Sequence, residues 1–134
     1  MKEVVNFLNQ NPIQYLATTD KDGNPKVRPF QFMLERDGKL FFGTANNKKV
    51  YDEIKNNSNI ELCACSPNYA WIRLSGKVVF SNNMDIKTAI IEHSPLVKSI
   101  YKTPDNPIFE IFYLEDAKAV IADFSGQPPK EYSL

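Results

Sequence analysis

Histidine and cysteine are nearly missing from this chain of 134 residues, which has one histidine, His93, and two cysteines, Cys63 and Cys65. A zinc site built on the cysteine pair would need two further ligands that the chain does not offer, so no metal is expected. The cysteines lie two apart in an apolar run that reads as a strand. Both thiols then share one face, a mutual disulfide is geometrically poor, and the pair is expected as small core side chains. Net charge is missing as well, because 16 basic and 16 acidic residues cancel. Without a global field the chain has no means of holding nucleic acid or an anionic membrane, and any attraction for phosphate must be local. No apolar run approaches the roughly 20 residues of a membrane span, and Met1-Lys2-Glu3-Val4-Val5-Asn6 lacks the apolar segment of a signal peptide. The expectation is a cytoplasmic protein with no membrane partner. No nucleophile–base–acid set stands out either. What is present, 43% hydrophobic and 24% charged residues, is the composition of an ordinary globular protein, and the length suits a single domain over residues 1–134.

The most informative stretch runs from Leu40 to Asn57. Leu40-Phe41-Phe42-Gly43-Thr44 has the character of a short buried strand, and Asn46 to Lys55 reads as a helix. A helix start exposes unpaired N–H groups and the positive end of the macrodipole, so acidic side chains belong there. Lys48 and Lys49 occupy it instead. An anion at that end removes the conflict, because N–H groups, dipole and ammoniums then converge on one negative charge, and a phosphate fits best. The alternative is a pair of solvated lysines on a frayed turn.

Around this stretch the chain reads as hairpins with helical inserts. Lys2 to Gln10 forms an amphipathic helix that lids one end of a sheet, and Ile13 to Thr19 a strand. Lys26 to Arg36 is a long returning strand with Pro29 in its interior; proline removes a ladder hydrogen bond, so the strand should be an edge there or be interrupted. Flanked by Arg28 and Phe30, the interruption marks a place where a ligand meets exposed backbone, or else an edge that merely resists aggregation. Asp37-Gly38 makes a tight turn. Ile60 to Ser66 and Ala70 to Ser81 are strands, the second with a bulge or bend at Gly76 and with Trp71, Arg73 and Ser75 on one face. Asn83 to Glu92 is a helix with Ile86, Ala89 and Ile90 inward. A second helix follows with Ser94 as N-cap, Pro95 as first residue, and Leu96, Val97 and Ile100 buried. His93, at the close of the first of these, suits a structural role. Ile108 to Leu114 and Ala117 to Phe124 are two further strands, and the tail from Ser125 is extended and mobile or draped over a partner. Seven strands and two or three small helices without βαβ alternation make a mainly β (α+β) antiparallel barrel.

Three of these stretches, taken together, resemble a known family. Val27-Arg28-Pro29-Phe30, then Phe42-Gly43-Thr44 with Asn46-Asn47-Lys48-Lys49-Val50-Tyr51, then Trp71-Ile72-Arg73-Leu74-Ser75-Gly76, are similar in order and spacing to the flavin-binding split-barrel proteins of the pyridoxamine 5'-phosphate oxidase superfamily. The likeness runs from Ile13 to Phe124 and is greatest to the short members, general-stress and nitroimidazole-reductase-like proteins. The resemblance implies a Greek-key split barrel and a homodimer with two FMN sites at the interface. Arg28 and Lys48 would hold the phosphate, with Lys49, Asn46, Asn47 and the helix start nearby. Backbone groups of Pro29 and Phe30 would meet the ring, Thr44 would bond to the cofactor, and Trp71 and Arg73 would come from the second subunit.

The resemblance further implies an FMN-dependent oxidoreductase acting on a small organic substrate, with a nicotinamide or other reductant; the alternative is a non-catalytic module for flavin storage or redox sensing. A deazaflavin is a second cofactor option, while haem is disfavoured by a lone His93 far from the cleft motifs. Pyridoxamine phosphate oxidases proper end in a basic, tryptophan-containing segment, whereas Gly126 to Leu134 has neither tryptophan nor arginine.

Overall fold

The computed structural model describes residues 1–134 as eight strands in one antiparallel sheet with four helices. In chain order these are α1 (Lys2–Gln10), β1 (Gln14–Thr19), β2 (Pro25–Phe30), β3 (Phe32–Arg36), β4 (Lys39–Ala45), α2 (Lys49–Asn56), β5 (Asn59–Cys65), β6 (Trp71–Ser81), α3 (Met84–His93), α4 (Pro95–Tyr101), β7 (Phe109–Ala122) and β8 (Lys130–Ser133). The strands are ordered β2-β1-β5-β6-β7-β4-β3, with β8 paired to β7.

That order closes the sheet on itself. β2 and β3 lie at opposite ends of it, yet only Gln31 separates them. Consecutive Cα atoms are 3.80 Å apart, so the two edges approach within about 8 Å there and the sheet must curl into a barrel. β2 and β3 share no ladder, so the barrel is split along this seam. The proline expectation holds in one respect: Pro29 lies on β2, an edge strand paired only with β1. The interruption itself falls at Gln31, because the break is set by the jump between edges and not by the missing N–H.

Local chemistry accounts for the turns. Asp37 and Gly38 both have positive φ, 54° and 77°, as the right-twisted hairpin β3–β4 requires. Gly76 sits at a register shift between β6 and β7, where a Cβ would stand 3.1 Å from Leu114 Cβ and 3.2 Å from the Glu115 carbonyl oxygen. Opposite it, Asp116 has φ 52°, so β7 bends without breaking. The two strands expected at 108–124 are therefore one.

Inside the barrel, Phe42 and Phe112 stack at 5.3 Å and Phe30 packs 6.2 Å from Phe42. Burying each such ring contributes about 2–3 kcal/mol. Val4 and Leu8 of α1 and Val50 and Ile54 of α2 join this core. A second cluster, with Phe41, Phe109, Ile86, Ile90 and Tyr101, holds α3 and α4 against the outside of the sheet. Asn83 caps α3 through the Asp85 and Ile86 amides, and Ser94 caps α4 through Val97.

Four expectations are corrected. Cys63 and Cys65 are exposed, not core, since β5 buries Ile60, Leu62 and Ala64 and turns its other face outward. Leu96 and Ile100 are 64% and 54% exposed, and Tyr101 is the buried residue of α4, because the helix is too short to bury both flanks. On α3 it is Ile91, not Ala89, that is buried beside Ile86 and Ile90. The tail is not loose: β8 pairs with β7, Tyr132 donates a hydrogen bond to Glu3, and Leu134 packs on the barrel core.

Candidate functional site at the seam

A cavity of about 370 Å³ opens where β2 hands over to β3. Pro29, Phe30 and Gln31 form its inner edge, Pro12 and Ile13 one wall, and Leu96, Val97, Ile100 and Tyr101 of α4 the other. The apolar residues that α4 leaves exposed are thus its lining. Gln14, 1% exposed, stitches the wall together: its amide donates to the Leu8 and Asn11 carbonyls and its oxygen accepts from the Phe32 amide at 2.7 Å. Gly43 lines the floor; a Cβ there would meet Phe109 Cε1 at 3.1 Å, so glycine lets that ring pack beneath. Burial pushes the Tyr101 phenol up, which keeps it neutral. Lys48 is then the one charged side chain lining the cavity.

Lys48 is also the N-cap residue of α2, in extended conformation, and no side chain caps the helix start. Neither Lys48 nor Lys49 is paired with a carboxylate. Thr44, at the end of β4, is 2% exposed, and its hydroxyl has no hydrogen-bond partner within the chain. A buried hydroxyl left unpaired costs about 1–3 kcal/mol.

The other residues singled out in the sequence scatter around this point. Arg28 turns inward from β2, away from the cavity: Nη2 meets Glu53 Oε1 at 2.6 Å, and Nη1 donates to Thr18 Oγ1 at 2.8 Å and to the Leu16 carbonyl at 3.2 Å. Lys49 borders a separate polar depression with Asp20, Asp22, Asp52 and Glu53. Asn46 is tied to the Pro107 carbonyl and to Glu110, and Asn47 is exposed. Trp71 and Arg73 lie on the outer face of β6, Trp71 packing 5.0 Å from Phe124 and Arg73 pairing with Glu61 at 3.2 Å. The structure brings Pro29, Phe30 and Lys48 together at the cavity, sets Thr44 directly after the lining Gly43 on β4, and leaves Arg28, Asn46, Asn47, Lys49, Trp71 and Arg73 outside it. Sequence reasoning missed Gln31 and the α4 wall. The signal was an apolar surplus, since Leu96, Val97, Ile100 and Tyr101 are more than one face of a seven-residue helix can bury.

On that outer face Cys63 shares pairing positions with Tyr15 and Arg73. Burial, with a smaller contribution from Cys65, pushes its thiol up, so the thiolate that would act as a nucleophile is scarce at neutral pH.

A family model for pyridoxamine 5'-phosphate oxidase matches residues 1–115. The chain belongs to the pyridoxamine 5'-phosphate oxidase family. A solved NimC/NimA family protein from Clostridium acetobutylicum is 32% identical, with a TM-score of 0.92 over 100% of this chain and 92% of that one. General Stress Protein 26 from Bacillus anthracis shares the fold at 18% identity, with a TM-score of 0.78 over 99% of this chain and 98% of its own. So does a pyridoxamine 5'-phosphate oxidase-related, FMN binding protein from Nostoc punctiforme, at 18% identity and a TM-score of 0.74 over 97% and 87% of the two chains. No curated protein matches the chain. Within the pyridoxamine 5'-phosphate oxidase family, split-barrel architecture is accordingly the common frame.

Proposed function

We propose that this member of the family binds FMN at the seam and acts as a flavin-dependent oxidoreductase on a small organic substrate. One observation carries the reading: an unpaired ammonium, Lys48, stands at an uncapped helix start beside an apolar slot floored by the edge-strand backbone of Pro29 and Phe30. The residues fit the group. Lys48 and the first amides of α2 would take the phosphate, the slot would take the ring, and the orphan hydroxyl of Thr44 would gain a partner. Arg28, spent on Glu53 and Thr18, would act by tying β2 to α2 and so setting the angle at which the helix start meets the slot.

When bound, the flavin supplies hydride or single-electron transfer between a nicotinamide or other reductant and the acceptor. The chain supplies binding, orientation and exclusion of water by the α4 wall. A volume of about 370 Å³ lies at the small end for cofactor sites, which favours a homodimer in which a second subunit completes each site. A phosphorylated deazaflavin would meet the same residues.

The test is reconstitution. Protein mixed with FMN and desalted should retain flavin absorbance, bind FMN more tightly than riboflavin, and be bleached by a reductant and re-oxidised by an acceptor. Protein that takes up no flavin overturns the reading; flavin held without turnover with any donor and acceptor pair leaves storage or redox sensing.

A further inference from the structure

Gln14 opens β1 on the inner face of the barrel, in one ladder row with Phe30 of β2, Ala64 of β5 and Ile72 of β6. Ala64 and Ile72 are core residues, and Gln14 itself is 1% exposed. An apolar side chain is the usual occupant of such a position, and a buried amide is destabilising there unless its polar groups are paired. Here they are. Nε2 carries two N–H groups and donates to the Leu8 carbonyl at 2.9 Å and to the Asn11 carbonyl at 3.1 Å, while Oε1 accepts from the Phe32 amide at 2.7 Å. The set needs two donors and one acceptor on a single planar group, which among side chains of this length only glutamine supplies.

These three partners are backbone groups beside the cavity lining. Asn11 precedes Pro12 and Ile13, and Phe32 stands between Gln31 and Met33, and those four neighbours all line the cavity. β3 has a ladder only on its β4 side, so on the side of the seam its first amide is held by Gln14. The side chain leaves β2 and β3 unbridged; it joins the end of α1 to the start of β3. Asn11 is itself fixed, its backbone and side-chain N–H groups both donating to the Phe7 carbonyl. The Pro12–Ile13 wall and the Met33 lip are thus referred to one amide, whose N–H groups are both spent on backbone.

We propose that Gln14 is a positioning residue of the cofactor slot, setting the gap between the Pro12–Ile13 wall and the β3 lip through the Phe32 amide. This rests on the FMN reading above and adds to it a residue that acts through backbone and not on the flavin itself. Its loss should therefore fall on the ring and leave the phosphate contribution untouched.

Gln14→Met keeps the length of the side chain and removes all three bonds. FMN and riboflavin should then bind about fivefold more weakly or worse, and by one common factor, whereas the loss from Lys48→Glu falls on FMN alone. Val78→Ala, a core change on β6 outside the cavity lining, is the comparison for stability. It should lower the melting temperature without moving either Kd at a temperature where both variants are fully folded. If Gln14→Met lowers the melting temperature and leaves both Kd values at wild type, Gln14 is a structural amide only and the proposal is overturned. A loss confined to FMN overturns it as well. Should Gln14→Met not fold, Gln14→Glu keeps the acceptor for Phe32, loses both donors and is judged by the same two constants. The tie also has a readout without flavin. Hydrogen exchange at the Phe32 amide should quicken in ligand-free Gln14→Met and not in Val78→Ala, and equal protection in the two variants overturns the arrangement. Failure of wild-type protein to bind either flavin would instead remove the reading beneath the proposal, while the exchange result would stand.

Discussion

Glu53 Oε1 accepts from Arg28 Nη2 at 2.6 Å and from Thr18 Oγ1 at 2.7 Å, so one carboxylate oxygen joins β1, β2 and α2. The pair is largely shielded, with 23% and 13% of its side chains exposed. Glu53→Ala leaves a half-buried guanidinium and a hydroxyl unmatched, and should lower stability by about 2–3 kcal/mol in urea unfolding. Arg28→Met combined with Glu53→Leu should recover most of that loss. If Arg28 reached an anion directly, Arg28→Met would weaken FMN much more than Glu53→Leu does; acting through Glu53, the two single changes should weaken FMN alike and the double change should add little to either.

Lys48→Glu places a like charge where the phosphate is proposed to sit. With charge-assisted bonds at about 1.5–3 kcal/mol each, FMN affinity should fall at least tenfold, and riboflavin affinity should hardly change. Lys49→Glu should do far less, since Lys49 already borders Asp20, Asp22 and Asp52. Equal losses from the two variants, measured by equilibrium dialysis, would refute this assignment.

Thr44→Val exchanges the unpartnered hydroxyl for a methyl of the same shape. The ligand-free protein should melt at the same temperature or slightly higher, because a buried polar group without a partner is lost. FMN binding should weaken several-fold. An unchanged Kd beside a raised Tm would show that Thr44 does not meet the cofactor.

The C-terminal strap should hold best at intermediate pH. The Tyr132 hydrogen bond, with Lys130 assisting, holds the Glu3 carboxyl below its usual range, and the same bond pushes the Tyr132 phenol up. A depressed carboxyl stabilises above its unfolded value, near 4.3, and loses that contribution as pH falls through its lower folded value. A raised phenol stabilises below its unfolded value, near 10, and loses it as pH rises through the folded one. Amide shifts of residues 130–133 should move at both extremes and stay constant between.

Much of this architecture was legible because local chemistry forced it. Asp37-Gly38, the Gly76 bulge, the Ser94-Pro95 helix start and the lysines at α2 each have a backbone reason that neighbours cannot overrule. What was illegible depended on which face of an element meets the core. Cys63 and Cys65 share the outward face of β5 with Asn59 and Glu61, opposite Ile60, Leu62 and Ala64, so the polar members of that row already mark the side that faces out, and only the apolar character of the thiols points the other way. Leu96 and Ile100 misled for the same reason. Arg28 sits on the expected strand, yet its guanidinium turns to Glu53, 25 residues away, a contact fixed only by how α2 lies on the barrel. The β8 pairing at 130–133 has no strong strand pattern of its own and is stabilised by the neighbour it joins.

The single-residue passage at Gln31 has a mechanical side. No ladder links β2 to β3, so the barrel there is fastened by one covalent tether and by whatever fills the gap beside it. A molecule seated against Pro29 and Phe30 on one lip and Met33 on the other works as a clasp, slowing the spreading of the lips. Amides of β2 and β3 should then exchange more slowly with deuterium when it is present, while the β5–β6–β7 spine keeps the protection it already has.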